Sequence, residues 1–161
     1  MRVIQCIFGD VPDRIIPCLA SVKRVYPQVE VFTFPSSPMP LYDSDLWRWQ
    51  MMLENDDCLY VDWDIMLNCE LAFSPNPIYP SMQYFKGQPD NCLMYSPDKR
   101  IFQEYEDERI KRKIAFTTMG WFRKILRDKP IFELKSGFTH LRTSGLKELR
   151  RQYKNVEVLN V

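Results

Sequence analysis

The first forty residues switch between two hydrophobic periods. "RVIQCIF" is a compact apolar run that stops at Gly9 and predicts a first strand. After "GDVPD", the segment "RIIPCLASVKRVY" spaces its apolar residues at helical intervals, with Pro17 early enough to sit in a first turn. Pro27 closes that helix, and "VEVFTF" alternates as a second strand. This order predicts a βαβ unit, a parallel pair joined by a right-handed crossover. "PSSPMP" reads as a loop. Ser44 is the expected N-cap of the helix "DLWRWQMMLEN", and "CLYV", free of polar residues, is expected in the interior of a sheet. Downstream, "SMQYF", "NCLMYS" and "IFELK" predict strands. "KRIFQEYEDERIKRK", "TTMGWFRKILRD" and "SGLKELRRQYK" predict helices. With no repeat and no linker, the pattern predicts one α/β domain over residues 1–161.

Composition narrows the class. At 45% hydrophobic and 27% charged residues the chain is expected to fold as a soluble globule. No apolar run reaches the ~18 residues of a membrane span, and "MRVIQCIFGD" lacks the form of a secretion signal. Cys6, Cys18, Cys58, Cys69 and Cys92 form no CxxC pair and lie mostly in apolar surroundings. That predicts reduced core thiols, a cytoplasmic protein and no zinc site built from cysteines. The formal net charge of +1 conceals a polarity: 6 Lys/Arg against 13 Asp/Glu through Asp98, then 16 against 8. Two solvated faces explain this, as does a carboxylate region that binds metal opposite a basic region for phosphates or a membrane surface. The basic part carries no nucleic-acid recognition motif, so a nucleic-acid partner is not expected.

The central strand ends in Asp62-Trp63-Asp64. In an extended segment residues two apart share a side, so both aspartates are expected to face one way and Trp63 the other. Two such carboxylates repel unless a cation lies beside them, and a hard divalent ion suits oxygen ligands. A solvated, Asp-rich turn is the plainer alternative. Asp45 and Arg48, three apart on one helix, share a face and form either a local ion pair or part of a site.

"SDLWRWQMMLENDDCLYVDWDIML" resembles the sugar-binding, DxD-containing region of GT-A glycosyltransferases. The likeness is to the group of the large clostridial glucosylating toxins and the fungal initiating mannosyltransferases. Ser44, Asp45 and Arg48 match one half of that group's pattern, and Tyr60, Asp62 and Asp64 the other. "IQCIFG" keeps Gln5 and Gly9 of its opening strand. Asp56 and Asp57 replace a usual glycine pair. Ile7 stands where the toxin relatives carry a tryptophan that stacks on uracil, and Phe8 takes that role only if the strand register shifts.

The resemblance implies a GT-A-like domain with a mixed, mostly parallel central sheet. It implies a hexosyltransferase using Mn²⁺ or Mg²⁺ and a nucleotide-diphosphate sugar, expected to be a UDP-sugar, with retention at the anomeric carbon. Asp64, Asp62 and His140 would hold the metal. Gln5, Ile7, Phe8, Gly9, Tyr60, Ser144 and Lys147 would contact the donor. Asp45 and Arg48 would bind sugar hydroxyls, and Asp90 and Asn91 would lie beside the reacting carbon. The acceptor, a hydroxyl of a glycan, lipid or protein, is not legible. Two alternatives stay open: a catalytically silent nucleotide-sugar binder, and a haloacid-dehalogenase-type phosphatase, which needs its DxD on the first strand.

Overall fold

A computed structural model describes residues 1–117 and 119–141. The chain builds β1 (Arg2–Phe8), a 3-10 turn (Asp13–Ile15), α1 (Ile16–Val25), β2 (Glu30–Phe34), α2 (Pro40–Glu54), β3 (Cys58–Val61) and β4 (Ile65–Leu67). There follow β5 (Ser81–Phe85), β6 (Gln88–Ser96), α3 (Lys99–Lys111), α4 (Gly120–Leu126), β7 (Phe132–Leu134) and β8 (Phe138–His140). Six strands form one sheet in the order β2-β1-β3-β6-β5-β7; β4 and β8 form a separate antiparallel ribbon. β1 pairs in parallel with β2 and β3, β5 in parallel with β7, and β6 runs antiparallel to β3 and β5. The sheet is therefore mixed but mostly parallel, as expected.

The apolar run of β3 is buried at all four positions because both faces are covered. On one face Val3, Leu59, Val61 and Leu93 pack with Val22 of α1 and with Leu67. On the other, Ile4, Tyr60 and Met94 pack with Trp49 and Met52 of α2, Phe102 of α3, and Trp121 and Phe122 of α4. The first crossover runs from β1 to β2 and the second returns to β3 on the far side of β1. With right-handed crossovers this reversal puts α1 and α2 on opposite faces and opens a crevice at the strand ends of β1 and β3. Among the described residues no helix is long and apolar enough to cross a membrane.

Three boundaries differ from expectation. α2 starts at Pro40, not after Ser44. Pro40 presets the helical φ at the first turn, and the Asp43 N–H already donates to Met39 O, so Ser44 lies inside the helix. β6 begins at Gln88, because Lys86 (φ 52°) and Gly87 (φ 74°) form a two-residue turn that starts the return strand at once. β8 has no counterpart among the expected strands. The expected last helix lies outside the described residues.

Candidate active site

The crevice at the β1–β3 switch is a cleft of about 220 Å³ lined by Cys6, Phe8, Pro40, Leu41, Ser44, Arg48, Asp62 and Trp63. Alternation along β1 aims Cys6 and Phe8 into the α2 face, while Gln5 and Ile7 share the face of Val3. So Phe8, stacked on Phe34 with ring centroids 4.7 Å apart, lines the cleft with no shift of register, and Ile7 is buried away from it. Gln5 is fully buried, and neither polar atom of its side-chain amide meets a hydrogen-bond partner among the described residues. Gly9 ends the strand at φ +80°, its N–H bonded to Phe34 O; a Cβ there would come within 3.3 Å of the Ser36 Cβ.

α2 contributes Ser44, Asp45 and Arg48 from one face. Arg48 is 4% exposed and its guanidinium is enclosed. It donates to Ser44 Oγ at 2.6 Å, to Ser44 O at 3.3 Å, and to Asn91 O and Oδ1 at 3.2 and 3.1 Å; it also sits 4.6 Å above the centre of the Tyr60 ring. Asp45 Oδ1 and Asp62 Oδ1 each lie 3.7 Å from it. Burial works against the charge, but Tyr60, Asp62, Cys92 and Asp45 more than reverse that and hold Arg48 firmly protonated. Asp45 accepts from Asn91 Nδ2 at 3.0 Å. Burial pushes the Asp45 carboxyl above its usual range, and Arg48, Asn91 and the Met119 N–H pull it part of the way back.

The two aspartates after β3 do not face one way. Residues 62–65 form a turn, with the Ile65 N–H donating to Asp62 O. Asp62 Oδ1 accepts from Tyr60 Oη at 2.9 Å and from the Trp63 N–H at 3.0 Å, and Asp62 and Trp63 line the cleft together. Asp64 turns instead toward His140, whose Nε2 lies 3.1 Å from Asp64 Oδ1. This closeness is built by the ribbon, where Ile65 pairs with His140, and by the Leu141 N–H donating to Asp64 O. His140 Nδ1 meets Gln83 Nε2 at 2.9 Å. The ligand atoms of Asp90, Cys92 and His140 lie within 4.8 Å of one another.

A bulge in β6 supplies those groups. Met82 pairs with Met94, yet the next residue, Gln83, pairs with Asp90, so Asn91, Cys92 and Leu93 have no partners on β5. Leu93 and Cys92 remain bonded on the β3 side, with Leu93 opposite Val61 and the Asp62 N–H donating to Cys92 O, while Asn91 O accepts from Arg48. The excursion re-aims Asn91 at Arg48 and Asp45, and brings Asp90 and Cys92 to His140.

No protein-family model matches the chain, and no curated relative matches it. Solved structures do. It is similar to the galactosyltransferase LgtC, solved with donor and acceptor sugar analogs (TM-score 0.52, 9% identity, 83% of this chain and 73% of that one). It is similar to a glycosyltransferase involved in glycosylation of the major capsid of PBCV-1 (TM-score 0.52, 11% identity, 94% and 98%). A third likeness is to the glycosyltransferase GlyE of Streptococcus pneumoniae TIGR4 (TM-score 0.51, 11% identity), of which this chain spans about half the length, 51%. The chain has the GT-A fold.

Within the GT-A fold of this chain, Asp45, Arg48, Tyr60, Asp62 and Asn91 gather in one hydrogen-bonded network. Asp64, His140 and Asp90 gather beside it, and Ser144 and Lys147 lie outside the described residues. Sequence reasoning missed Cys92 and Gln83. Neither carries a local signal: Cys92 stands in an apolar run and Gln83 in an ordinary alternating strand, and the bulge alone brings them in. The cysteine expectation shifts accordingly. Cys6, Cys18 and Cys58 are buried free thiols, Cys69 is exposed, and Cys92 belongs to a group of potential metal ligands.

Proposed function

We propose that this protein is a metal-dependent glycosyltransferase that moves a hexose from a UDP-sugar to an acceptor hydroxyl with retention. The observation that supports it most is the Asp64–His140 pair at the switch point of a GT-A sheet. Asp64 Oδ1 is buried, and His140 Nε2 lies 3.1 Å from it with no other partner for that oxygen among the described residues. A carboxylate oxygen and an imidazole nitrogen at that separation can share one cation. Oxygen and imidazole donors fit Mn²⁺, and Mg²⁺ less well. Asp64 and His140 would hold the ion, with Asp62 or Asp90 adjacent, and the ion would take up charge on the departing diphosphate.

The chain's own groups do the rest. Phe8 and Leu41 give the cleft an apolar wall for the base. Arg48, fixed at both ends, offers a rigid cationic edge beside Asp62, where the anionic part of a donor would lie. Asp45 and Asn91 present acceptor and donor atoms for sugar hydroxyls. Asp45 is tied to Arg48 and Asn91, so no side chain of the network is set up as a nucleophile. The anomeric C–O bond to phosphate breaks, the bond to the acceptor oxygen forms on the same face, and the acceptor proton passes to the leaving phosphate. The phosphatase alternative places its nucleophilic aspartate at the end of a first strand, and β1 ends in Phe8 and Gly9.

The test is thermal unfolding with a panel of nucleotide sugars, with and without Mn²⁺. A donor at about a hundred times its Kd stabilises the folded state by about 2.7 kcal/mol. That amounts to a rise in Tm of roughly 5–10 °C for a chain of this size. The rise is expected only with metal present, and Asp64→Ala should remove it together with donor hydrolysis. An undiminished metal-dependent shift in that variant refutes the reading.

A further inference from the structure

α4 starts beside the Asp45–Asn91–Arg48 network, and none of its residues lines the donor cleft. Its N-terminal flank is fixed there, because the Met119 N–H bonds the Asp45 carboxylate. Arg123 follows one helical turn later, about 6 Å along the axis. Trp121, Phe122, Ile125 and Leu126 are buried in the core, which turns Arg123, Lys124 and Arg127 to the opposite side. There they face the β5–β6 hairpin across a second cavity of about 380 Å³, walled by Tyr84, Gly87, Gln88 and Pro89. That wall belongs to the site's own edge of the sheet: Tyr84 pairs with Pro89, immediately outside the Gln83–Asp90 pair.

Three cations line this cavity, and among the described residues none of them has a carboxylate within 4.0 Å. Elsewhere among the described residues Arg2, Arg48, Arg100, Arg109, Arg112, Lys129 and Lys135 have such a partner and the other lysines and arginines do not, so what sets this group apart is that three cations share one cavity. Arg123 Nε is buried and has no hydrogen-bond partner among the described residues, although a charged N–H donor taken from water without an acceptor is destabilising. Arg123 and Arg127 stand four apart at a helix end, where like charges repel unless an anion bridges them. A basic helix face exposed to water would account for Lys124 alone. It does not account for a cavity walled by the hairpin and lined by three cations, one of which also carries a buried N–H with no acceptor among the described residues.

Resting on the glycosyltransferase reading, we propose that this cavity is the acceptor subsite and that the acceptor carries a phosphate. Two guanidinium forks and an ammonium suit a dianionic phosphate better than a single carboxylate. The network links the two: Arg48 lines the donor cleft, and Asn91, which it bonds, follows Pro89 of the cavity wall by two residues. A phosphate held on Arg123 and Arg127 would therefore leave the acceptor's hydroxyl reaching back over Asn91 toward the donor sugar. Two sources share this chemistry: a soluble phosphorylated sugar or polyol, and the headgroup of a lipid phosphate.

The test is made on the full chain without nucleotide sugar or metal, following the arginine side-chain N–H signals by NMR. The probes are inorganic phosphate, glycerol 3-phosphate, glucose as a neutral control, and phosphatidylcholine vesicles with or without about one-fifth phosphatidic acid. Saturable phosphate binding that perturbs the Arg123 signal is expected, weakening with salt. Arg123→Gln/Arg127→Gln should lower the affinity about tenfold or more. Arg123→Lys/Arg127→Lys, which keeps charge and loses the fork, should fall between. Should the glutamine pair fail to fold, Lys124→Gln, at an exposed position, should still weaken binding about threefold. Arginine-dependent binding of glycerol 3-phosphate marks a soluble acceptor, and arginine-dependent recruitment to the phosphatidic acid vesicles marks a lipid one. Equal affinity in wild type and the glutamine pair, or no saturable binding of any phosphate probe, overturns the proposal. A UDP-sugar shift in the thermal assay with no phosphate site removes this subsite and leaves the donor reading standing. A phosphate site with no donor shift removes the acceptor role and the donor reading together.

Discussion

Arg48 shows how one side chain can order a site before any ligand arrives. Its guanidinium bonds Ser44 on its own helix and Asn91 on β6, and lies near two carboxylates that would otherwise face each other in a dry interior. Removing one partner of such a group leaves the others charged and unpaired, which is more damaging than exchanging the whole set for apolar residues. Arg48→Met is therefore expected to destabilise the fold by about 3–5 kcal/mol, measured by urea unfolding. A loss below about 1 kcal/mol would show that Asp45 and Asp62 do not depend on it. The residue types at this corner were legible in the sequence, because Ser44, Asp45, Arg48, Tyr60, Asp62 and Asp64 stand in a recognisable order. Their directions were not. A strand rule applied to Asp62-Trp63-Asp64 predicts two parallel carboxylates; the backbone turns there, so one serves Arg48 and Tyr60 and the other His140. Phe8 and Ile7 exchange roles for a related reason, since the face of β1 is set by where α2 packs.

Among the elements, α2 and α3 are latched by a polar contact within an aromatic cluster. Glu106 accepts from Trp49 Nε1 at 2.7 Å and from Arg109 Nε at 2.9 Å. The Arg109 hydrogen bond, ahead of the opposing effect of burial, holds the Glu106 carboxyl below its ordinary value of 4.5, with Trp49 adding to the same effect. A carboxyl depressed by folding stabilises the protein fully above its unfolded value of about 4.3, and that contribution is lost as pH falls through the folded value. Glu106→Gln should thus lower stability by about 1–2 kcal/mol near neutral pH. It should also flatten the stability profile below pH 4.5, read from denaturant midpoints at a series of pH values. An unchanged acid limb would place that dependence in other carboxylates. Helices and strands of ordinary length were legible from period alone. β8 was not, since a three-residue "FTH" carries no period, and it forms only because Ile65–Leu67 offers an edge to pair with.

For the whole molecule, strand order concentrates chemistry at one rim. Five of the six strands of the main sheet point their C-terminal ends the same way, and β6 starts where they finish. The acidic early part of the chain delivers Asp45, Asp62 and Asp64 to that rim, and the basic later part delivers Arg123, Lys124 and Arg127 beside them. The polarity of charge along the sequence would thus become a polarity between the proposed donor site and the proposed acceptor subsite. In the β4–β8 ribbon β4 is packed in the core, whereas β8 is three residues long, pairs with β4 and has no fully buried residue. An ion held by Asp64 and His140 would tie it down, so amide exchange at residues 138–140 is expected to slow several-fold on adding Mn²⁺, with the buried β3 unchanged. Exchange that ignores the metal would separate His140 from any ion.

The three-residue excursion in β6 also sets which kinds of change this chain can absorb. Substitutions at Asn91, Cys92 or Leu93 change the contacts of the residue replaced but leave the facing of its neighbours in place. A deletion or insertion of a single residue there would reverse the facing of Asp90 and the hairpin beyond it, disconnecting the polar rim from the basic cavity at a stroke. That short segment is thus more sensitive to its length than to its spelling.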